Sequence, residues 1–271
     1  MDPLAVIYNE NQWRVNKVSP LFNLQYKEVK LKQYASSIKQ ALTSAVATEA
    51  TSRFLVNIEG LPLLKYSNDD APSIMITVTS TQEHKKKTAY NAIILSWGKS
   101  ITLECAIHLP YMLERGEQKV GHIVKTALQN IFDCNIKDYN FTQFQLLQLG
   151  FNFLENDSSR STDPFTLVYK TPQVDFKDKL TMAFEIGDIQ GIWTSLKDET
   201  SNETDLVTMA YQTLQNQLFH MLTMDVSVLD ICEVILPKAE VKFNGIVKMK
   251  TPELVNSLFT VLNKITDLCV F

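Results

Sequence analysis

Glycine and histidine are both scarce in this chain, with 8 and 4 among 271 residues. Loops that cradle phosphates need glycine and most acid–base or metal chemistry draws on histidine, so both function classes start at a disadvantage. There is no Walker A sequence, no GxGxxG, no HExxH, no GxSxG and no histidine pair at ligand spacing. Cys105, Cys134, Cys232 and Cys269 stand far apart without a CxxC, which argues against a zinc ribbon or a redox pair and for reduced, mostly buried thiols. No catalytic residue, cofactor or metal site is therefore expected. No apolar run approaches the roughly 18 residues of a membrane span, so no membrane partner is expected. Met1-Asp2-Pro3 lacks the basic and apolar pattern of a signal peptide, which points to an intracellular protein. On that reading the glycosylation sequons at Asn140, Asn156 and Asn202 are chance. A basic excess is also missing: the formal charge is −4 and the pI about 5.6. That excludes the uniformly basic surface of an autonomous DNA-coating protein and leaves room only for local nucleic-acid contacts.

What is present is an apolar content of 45%, ample for one large or two small cores. Gln12-Trp13-Arg14-Val15 leads through Val18-Ser19-Pro20-Leu21-Phe22 to a helix whose Leu31, Tyr34, Ile38, Leu42 and Ala45 share one face. Trp13, Val15 and Leu24 suit a short strand pair, with Pro20 at a turn or an edge. Period-two runs follow at Phe54, Val56 and Ile58 and at Ile74, Ile76 and Val78. The longest is Ile101, Leu103, Cys105, Ile107 and Leu109. With Ala89 to Trp97 they predict an antiparallel sheet, Gly98-Lys99-Ser100 turning between Trp97 and Ile101. Val120, Ile123, Val124, Ala127, Leu128, Ile131 and Phe132 form a helical stripe suited to covering that sheet. Phe141 to Leu154 reads as a further helix.

Glu155 to Pro164 is the one clear polar linker, and the spacing predicts an N-terminal lobe over 1–154 and a C-terminal lobe over 165–271. The fold class expected is α+β, two sheet-rich lobes of mainly antiparallel strands covered by amphipathic helices. Beyond the linker, Leu180, Met182, Phe184 and Ile186 alternate as a half-buried strand. Asp188 can cap a short helix carrying Ile189, Ile192, Trp193 and Leu196 on one face. Trp193 reads as a core anchor. Thr200 with Glu203 forms a capping-box pattern before a helix bearing Val207, Ala210, Leu214, Leu218 and Leu222. Strands Val226 to Leu236 and Val241 to Met249 should pair as a hairpin through Pro237-Lys238-Ala239-Glu240. Thr251-Pro252-Glu253 starts a terminal helix that is apolar nearly all round, and such a helix must be covered by its own lobe or by another protein.

Three isolated sets could carry chemistry. His108 and Cys105 fall on opposite faces of a predicted strand, which does not suit a nucleophile and its base. Asp175, Asp178, Asp188, Asp198 and Glu199 are placed where turns and helix starts favour acids for local reasons. Lys85, Lys86 and Lys87 are assigned to a loop between strands, and Lys238, Lys242, Lys248 and Lys250 to the last hairpin. Lysines so arranged could track phosphates, or could form a solvated face or guard an edge strand.

Four segments together resemble the centromere protein L family of the inner kinetochore. They are the Gln-Trp strand with its Pro-Leu turn and helix, a helix ending in Phe132-Asp133-Cys134, the strand and Trp193 helix at Leu180 to Leu196, and the final hairpin with its apolar helix. Family members carry a longer polar tail before the Gln-Trp strand, which this chain reaches at Gln12. The resemblance implies a non-enzymatic scaffold in the nucleus, at the centromere and kinetochore. It implies a heterodimer with centromere protein N, incorporation beside the H, I, K and M subunits of the constitutive centromere-associated network, and contact with centromeric DNA jointly with the partner. Val241, Phe243, Val247, Leu254, Leu258, Phe259, Leu262 and Phe271 are the expected partner surface. Lys85, Lys86, Lys87, Lys242, Lys248 and Lys250 are the expected DNA contacts. Two other readings fit the same sequence: an autonomous DNA-binding protein with a curved antiparallel sheet, and a small-molecule α+β enzyme such as an acyltransferase.

Overall fold

The computed structural model describes residues 2–10, 12–45, 53–82, 85–99, 101–156, 162–171, 179–200, 202–223 and 225–268. The chain is a mixed α+β protein that divides into two compact units. One is Trp13–Tyr139; the other joins Asp2–Gln12 to Asn140–Phe271. The boundary expected at 155–164 is thus corrected to the Tyr139–Asn140 junction. The reason is the helix over 143–156, where Leu146, Leu147, Gln148, Leu149, Gly150, Phe151, Phe153 and Leu154 are all buried. Side chains on every face of a helix need a core around it, and that core belongs to the second unit.

A single turn, α1 (Ala5–Tyr8), carries the buried Ile7 and packs with the second unit. The first unit then runs β1 (Trp13–Val18), β2 (Leu21–Phe22), α2 (Glu28–Ala45), β3 (Arg53–Leu61), β4 (Ser73–Gln82), β5 (Lys85–Leu95), β6 (Ile101–Leu103), β7 (Ala106–His108), β8 (Tyr111–Gly116), α3 (Gln118–Phe132) and β9 (Ile136–Asp138). Its main sheet has the order β9-β1-β8-β5-β4-β3 and every pair is antiparallel. The register sets Val56 opposite Val78, Ile58 opposite Ile76 and Ile94 opposite Met112, so their side chains share the face that α2 and α3 cover. Ile38 and Leu42 of α2 and Val124 of α3 have no exposed surface there.

The alternation over Ile101 to Leu109 is not one strand. Glu104 and Cys105 form a turn, and β6 folds back on β7 with Ile101 opposite His108. These join β2 in a separate three-stranded sheet, β2-β7-β6. The expected hairpin across Gly98 is likewise absent among the described residues: Trp97 and Gly98 do turn the chain, at φ 50 and 84, but β5 pairs with β4 and β8.

The Phe132-Asp133-Cys134 segment has a plain physical reading. Phe132 ends α3 in the core, edge-on to Tyr34 at 4.9 Å, and Asp133 takes the left-handed conformation that stops the helix. Cys134 N then donates to Gln129 O at 3.3 Å, while burial pushes the Cys134 thiol up to about 11. Gly121 lets α3 lie close to β5, since a Cβ there would stand 2.7 Å from the Tyr90 ring.

The second unit continues with α4 (Gln143–Asn156), β10 (Phe165–Lys170), β11 (Lys179–Phe184), α5 (Ile186–Glu199), α6 (Glu203–Leu222), β12 (Asp230–Ile235), β13 (Ala239–Lys242), β14 (Ile246–Met249) and α7 (Pro252–Leu268). Within it the sheet order is β11-β10-β12-β13-β14, again antiparallel throughout. α4 packs on β12 and on α7, and Gly150 makes room for it: a Cβ would meet Val234 Cγ1 at 2.8 Å. The cap of α6 is Asn202, whose side chain accepts from Thr204 N at 3.1 Å, whereas Thr200 closes α5. Glu203 is not in a capping box. It reaches Gln148 and Asn152 on α4, at 3.2 and 3.3 Å, and Lys264 on α7, at 2.6 Å. Asp188 sits in the first turn of α5 but does not cap it.

Trp193 is indeed a core residue, and its anchor is α4: the indole stacks on Phe151 with centroids 4.7 Å apart and rings 7° from parallel. Truncation of a buried Trp to Ala costs about 3–5 kcal/mol, a large share of a domain's stability. Trp193→Ala should therefore melt well below the parent in calorimetry, and an unchanged melting temperature would show that the stack contributes little.

Candidate partner-binding and nucleic-acid surfaces

The last hairpin differs from the expected single alternating strand. Asn244-Gly245, with Gly245 at φ 80, turns the chain so that β13 pairs with β12 on one side and with β14 on the other. α7 starts as the sequence suggests, Leu254 N donating to Thr251 Oγ1 at 3.4 Å. Of the expected partner residues, Val241, Val247, Leu254, Leu258, Phe259 and Leu262 are buried within the chain itself, and Phe271 lies outside the described residues. Phe243 alone among them is exposed, at 39%. Its backbone is pinned at the hairpin tip: N donates to Cys232 O at 2.9 Å and O accepts from Phe141 N at 2.8 Å. The Lys170 ammonium stands 3.9 Å from its ring centroid, within the range of a cation–π contact.

Sequence reasoning missed other exposed apolar side chains of this unit. Phe219 and Met221 near the end of α6, and Val228 beyond it, are 53%, 67% and 76% exposed. The signal was there: Phe219 and Met221 fall off the Val207, Ala210, Leu214 and Leu218 stripe that faces the core.

The lysine groups belong to different units. Lys85, Lys86 and Lys87 are not in a loop but open β5, exposed and paired with Gln82, Thr81 and Ser80. Lys87 stands 3.9 Å from Glu117 across open solvent, which leaves its charge largely available. Lys242 is different. Its ammonium is 2.8 Å from Glu240 and 3.1 Å from Glu233, whose side chain is only 9% exposed. Burial alone would lower the Lys242 pKa, but the hydrogen bonds to Glu240 and Glu233 raise it; burial would raise Glu240, but Lys242 above all holds it below the usual carboxylate range. Lys248 faces Glu240 across the β13–β14 pair, and Lys250 donates to Pro237 O at 3.3 Å. With Lys238 and Asp163 they border a cleft of about 310 Å³ floored by Ile235, Leu236 and Ala239.

The remaining titratable residues stay apart. Cys105 is exposed in the β6–β7 turn, and burial lowers the His108 pKa on β7. Asp175 and Asp178 lie outside the described residues, while Asp188, Asp198 and Glu199 are on α5. Among the described residues no group of His, Cys, Asp and Glu is arranged to hold a metal ion, and no helix is long and apolar enough to cross a membrane.

The Lys242 cluster has a defined pH response. Glu240, depressed in the folded state, adds stability above the ordinary Glu pKa that is lost as acid protonates it; Lys242, raised, adds stability that is lost only in strong alkali. Lys242→Met should lower stability at neutral pH by about 1–2 kcal/mol, because Glu233 and Glu240 lose a hydrogen-bonded cation. The deficit should shrink as pH falls through the Glu240 titration, which urea unfolding across a pH series would measure. A deficit independent of pH would mean that Lys242 acts only by packing.

The profile of the centromere protein L family matches residues 7–269. Centromere protein L of Xenopus tropicalis is 22% identical over 216 residues, covering 72% of this chain and 61% of that protein. The chain thus spans about three fifths of that relative's length. A match extending from α1 to the end of α7 takes in both units, their sheets and every helix between, and on it the chain belongs to the centromere protein L family.

Proposed function

We propose that the protein is a non-enzymatic scaffold subunit of the inner kinetochore, acting at the centromere in the nucleus in kinetochore assembly and chromosome segregation. It pairs with centromere protein N and sits beside the H, I, K and M subunits of the constitutive centromere-associated network. The observation that carries this reading is the family match across both units. The exposed apolar side chains of the second unit support a protein-binding role, since each Phe or Leu buried on association contributes roughly 1.5–3 kcal/mol.

The partner surface is assigned to the second unit, with Phe243 as its exposed aromatic anchor. Val241, Val247, Leu254, Leu258, Phe259 and Leu262 support the hairpin and helix from behind. Deleting α7 would strip the core rather than test the interface, so the informative change is at the surface. Phe243→Ala should leave the melting temperature near that of the parent while weakening co-purification with centromere protein N by about tenfold or more. Undiminished co-purification would move the anchor away from the hairpin tip.

DNA contact is assigned jointly to the pair, through Lys85, Lys86 and Lys87 on one unit and Lys248 and Lys250 on the other. Lys242, engaged by two carboxylates, is assigned the smallest share. Each phosphate contact steepens the logarithmic salt dependence of duplex binding by roughly 0.9. K248E/K250E in the reconstituted pair should bind duplex DNA more weakly and with a shallower salt slope, whereas Lys242→Met should leave the slope nearly unchanged. Equal slopes for parent and K248E/K250E would return both lysines to a solvated face.

A further inference from the structure

We propose that the outer edge of β3 is a self-complementary docking edge on which a second copy of this chain pairs antiparallel, with the two-fold axis at Val56. β3 ends the sheet order of its unit, and its nine residues pair with β4 in unbroken register. Among the described residues no second strand pairs with it. Sheet edges are ordinarily blunted by proline, by bulges or by charge along the strand. β3 has no proline and no bulge, and Leu55 near its centre is 60% exposed.

The occupant follows from the order of side chains along the strand. Arg53, Leu55, Asn57 and Glu59 lie on one face of β3, and Phe54, Val56 and Ile58 on the other. Laid antiparallel on its own copy and centred on Val56, the strand sets Arg53 against Glu59 of the second copy, and Glu59 against Arg53, so two opposite-charge pairs form at once. Leu55 then meets Asn57. On the other face Phe54 meets Ile58 and Val56 meets itself, which carries the apolar row over α2 across the axis. Cross-strand neighbours of this kind stand about 4.5–5.5 Å apart at Cβ, within reach of ion pairing and packing. A slip of one residue would lose both charge pairs and set apolar against polar side chains, so the charges fix the register as well as the partner. The interface is isologous, as a closed two-fold dimer requires.

Charge exchange tests this on the full chain by analytical ultracentrifugation. The parent should sediment with about twice the mass of its 30.9 kDa chain at raised concentration. R53E alone, or E59R alone, places like charges opposite one another at both symmetric contacts, and should raise the dissociation constant by about tenfold. The two singly changed proteins mixed together should associate again, because each charge then meets its opposite, and so should R53E/E59R alone. Recovery on mixing also shows that the single variants are folded. A parent that stays monomeric at every concentration overturns the proposal. So do single variants that dimerise like the parent, and so does a mixture that fails to recover.

Discussion

Phe151 stacks on Trp193 at 4.7 Å and on Phe165 at 5.9 Å, and the second unit is arranged around the helix that presents it. Apolar side chains leave α4 in every direction, so it cannot lie on a surface; it must be enclosed by a sheet and by other helices. β12 approaches it where Gly150 lacks a side chain, α7 covers it elsewhere, and α5 is fixed to it by the indole of Trp193. Polar ties close the ends. Glu203 of α6 joins α4 to α7, and its carboxyl is held low, burial opposing, by the Lys264, Gln148 and Asn152 hydrogen bonds. Glu155 at the far end of α4 accepts from both Trp193 and Lys197 of α5. An enclosed helix of this kind makes the unit cooperative, since no neighbour can leave without exposing it.

The first unit solves the same problem with a two-sided division of labour. α2 and α3 cover an apolar sheet face, but beneath α3 a polar cluster interrupts that face. Lys125 reaches Glu114 and Asp138 at 2.9 Å each, and Tyr90 donates to Glu114 at 2.7 Å. Burial would lower the Lys125 pKa, yet the two carboxylates raise it, so the group stays charged and the pairing persists across the neutral range. Buried pairs of this sort add little net stability beside an apolar alternative. Their effect is on placement: α3 is tied at Lys125 to β8 and β9, just where Gly121 brings the helix close to Tyr90.

Much of this was legible in the sequence where burial is one-sided. The runs at Phe54 to Ile58 and Ile74 to Val78 became β3 and β4, and the stripes of the helices over 28–45 and 118–132 face the core as their spacing implies. Reading failed where alternation crosses a turn. Ile101 to Leu109 and Val241 to Met249 both keep period two through a hairpin, and only Asn244-Gly245 marked the second break. The unit boundary was missed because a hydrophilic stretch signals exposure, not independence. Glu155 to Pro164 is polar, yet the helix before it is bound to the strands after it.

The candidate site was the least legible part, for a reason that applies to any apolar stripe. Hydrophobic spacing identifies side chains that leave water and does not say what they meet. In α7 and the last hairpin they meet their own unit, so Leu258, Phe259 and Val247 have no exposed surface for a partner. The residues left for recognition are those that break the pattern: Phe243 at a turn, Phe219 and Met221 off the stripe of α6, Leu55 on an edge strand. The same holds for charge. Lys242 looked like its neighbours in the sequence, but the register sets it opposite Glu233, and two carboxylates occupy it. Lys248 instead faces Glu240 across the β13–β14 pair, and Lys250 lies just beyond the end of β14. Which apolar and basic residues are free to bind is therefore a property of register and enclosure, and both are set by long-range pairing rather than by local sequence.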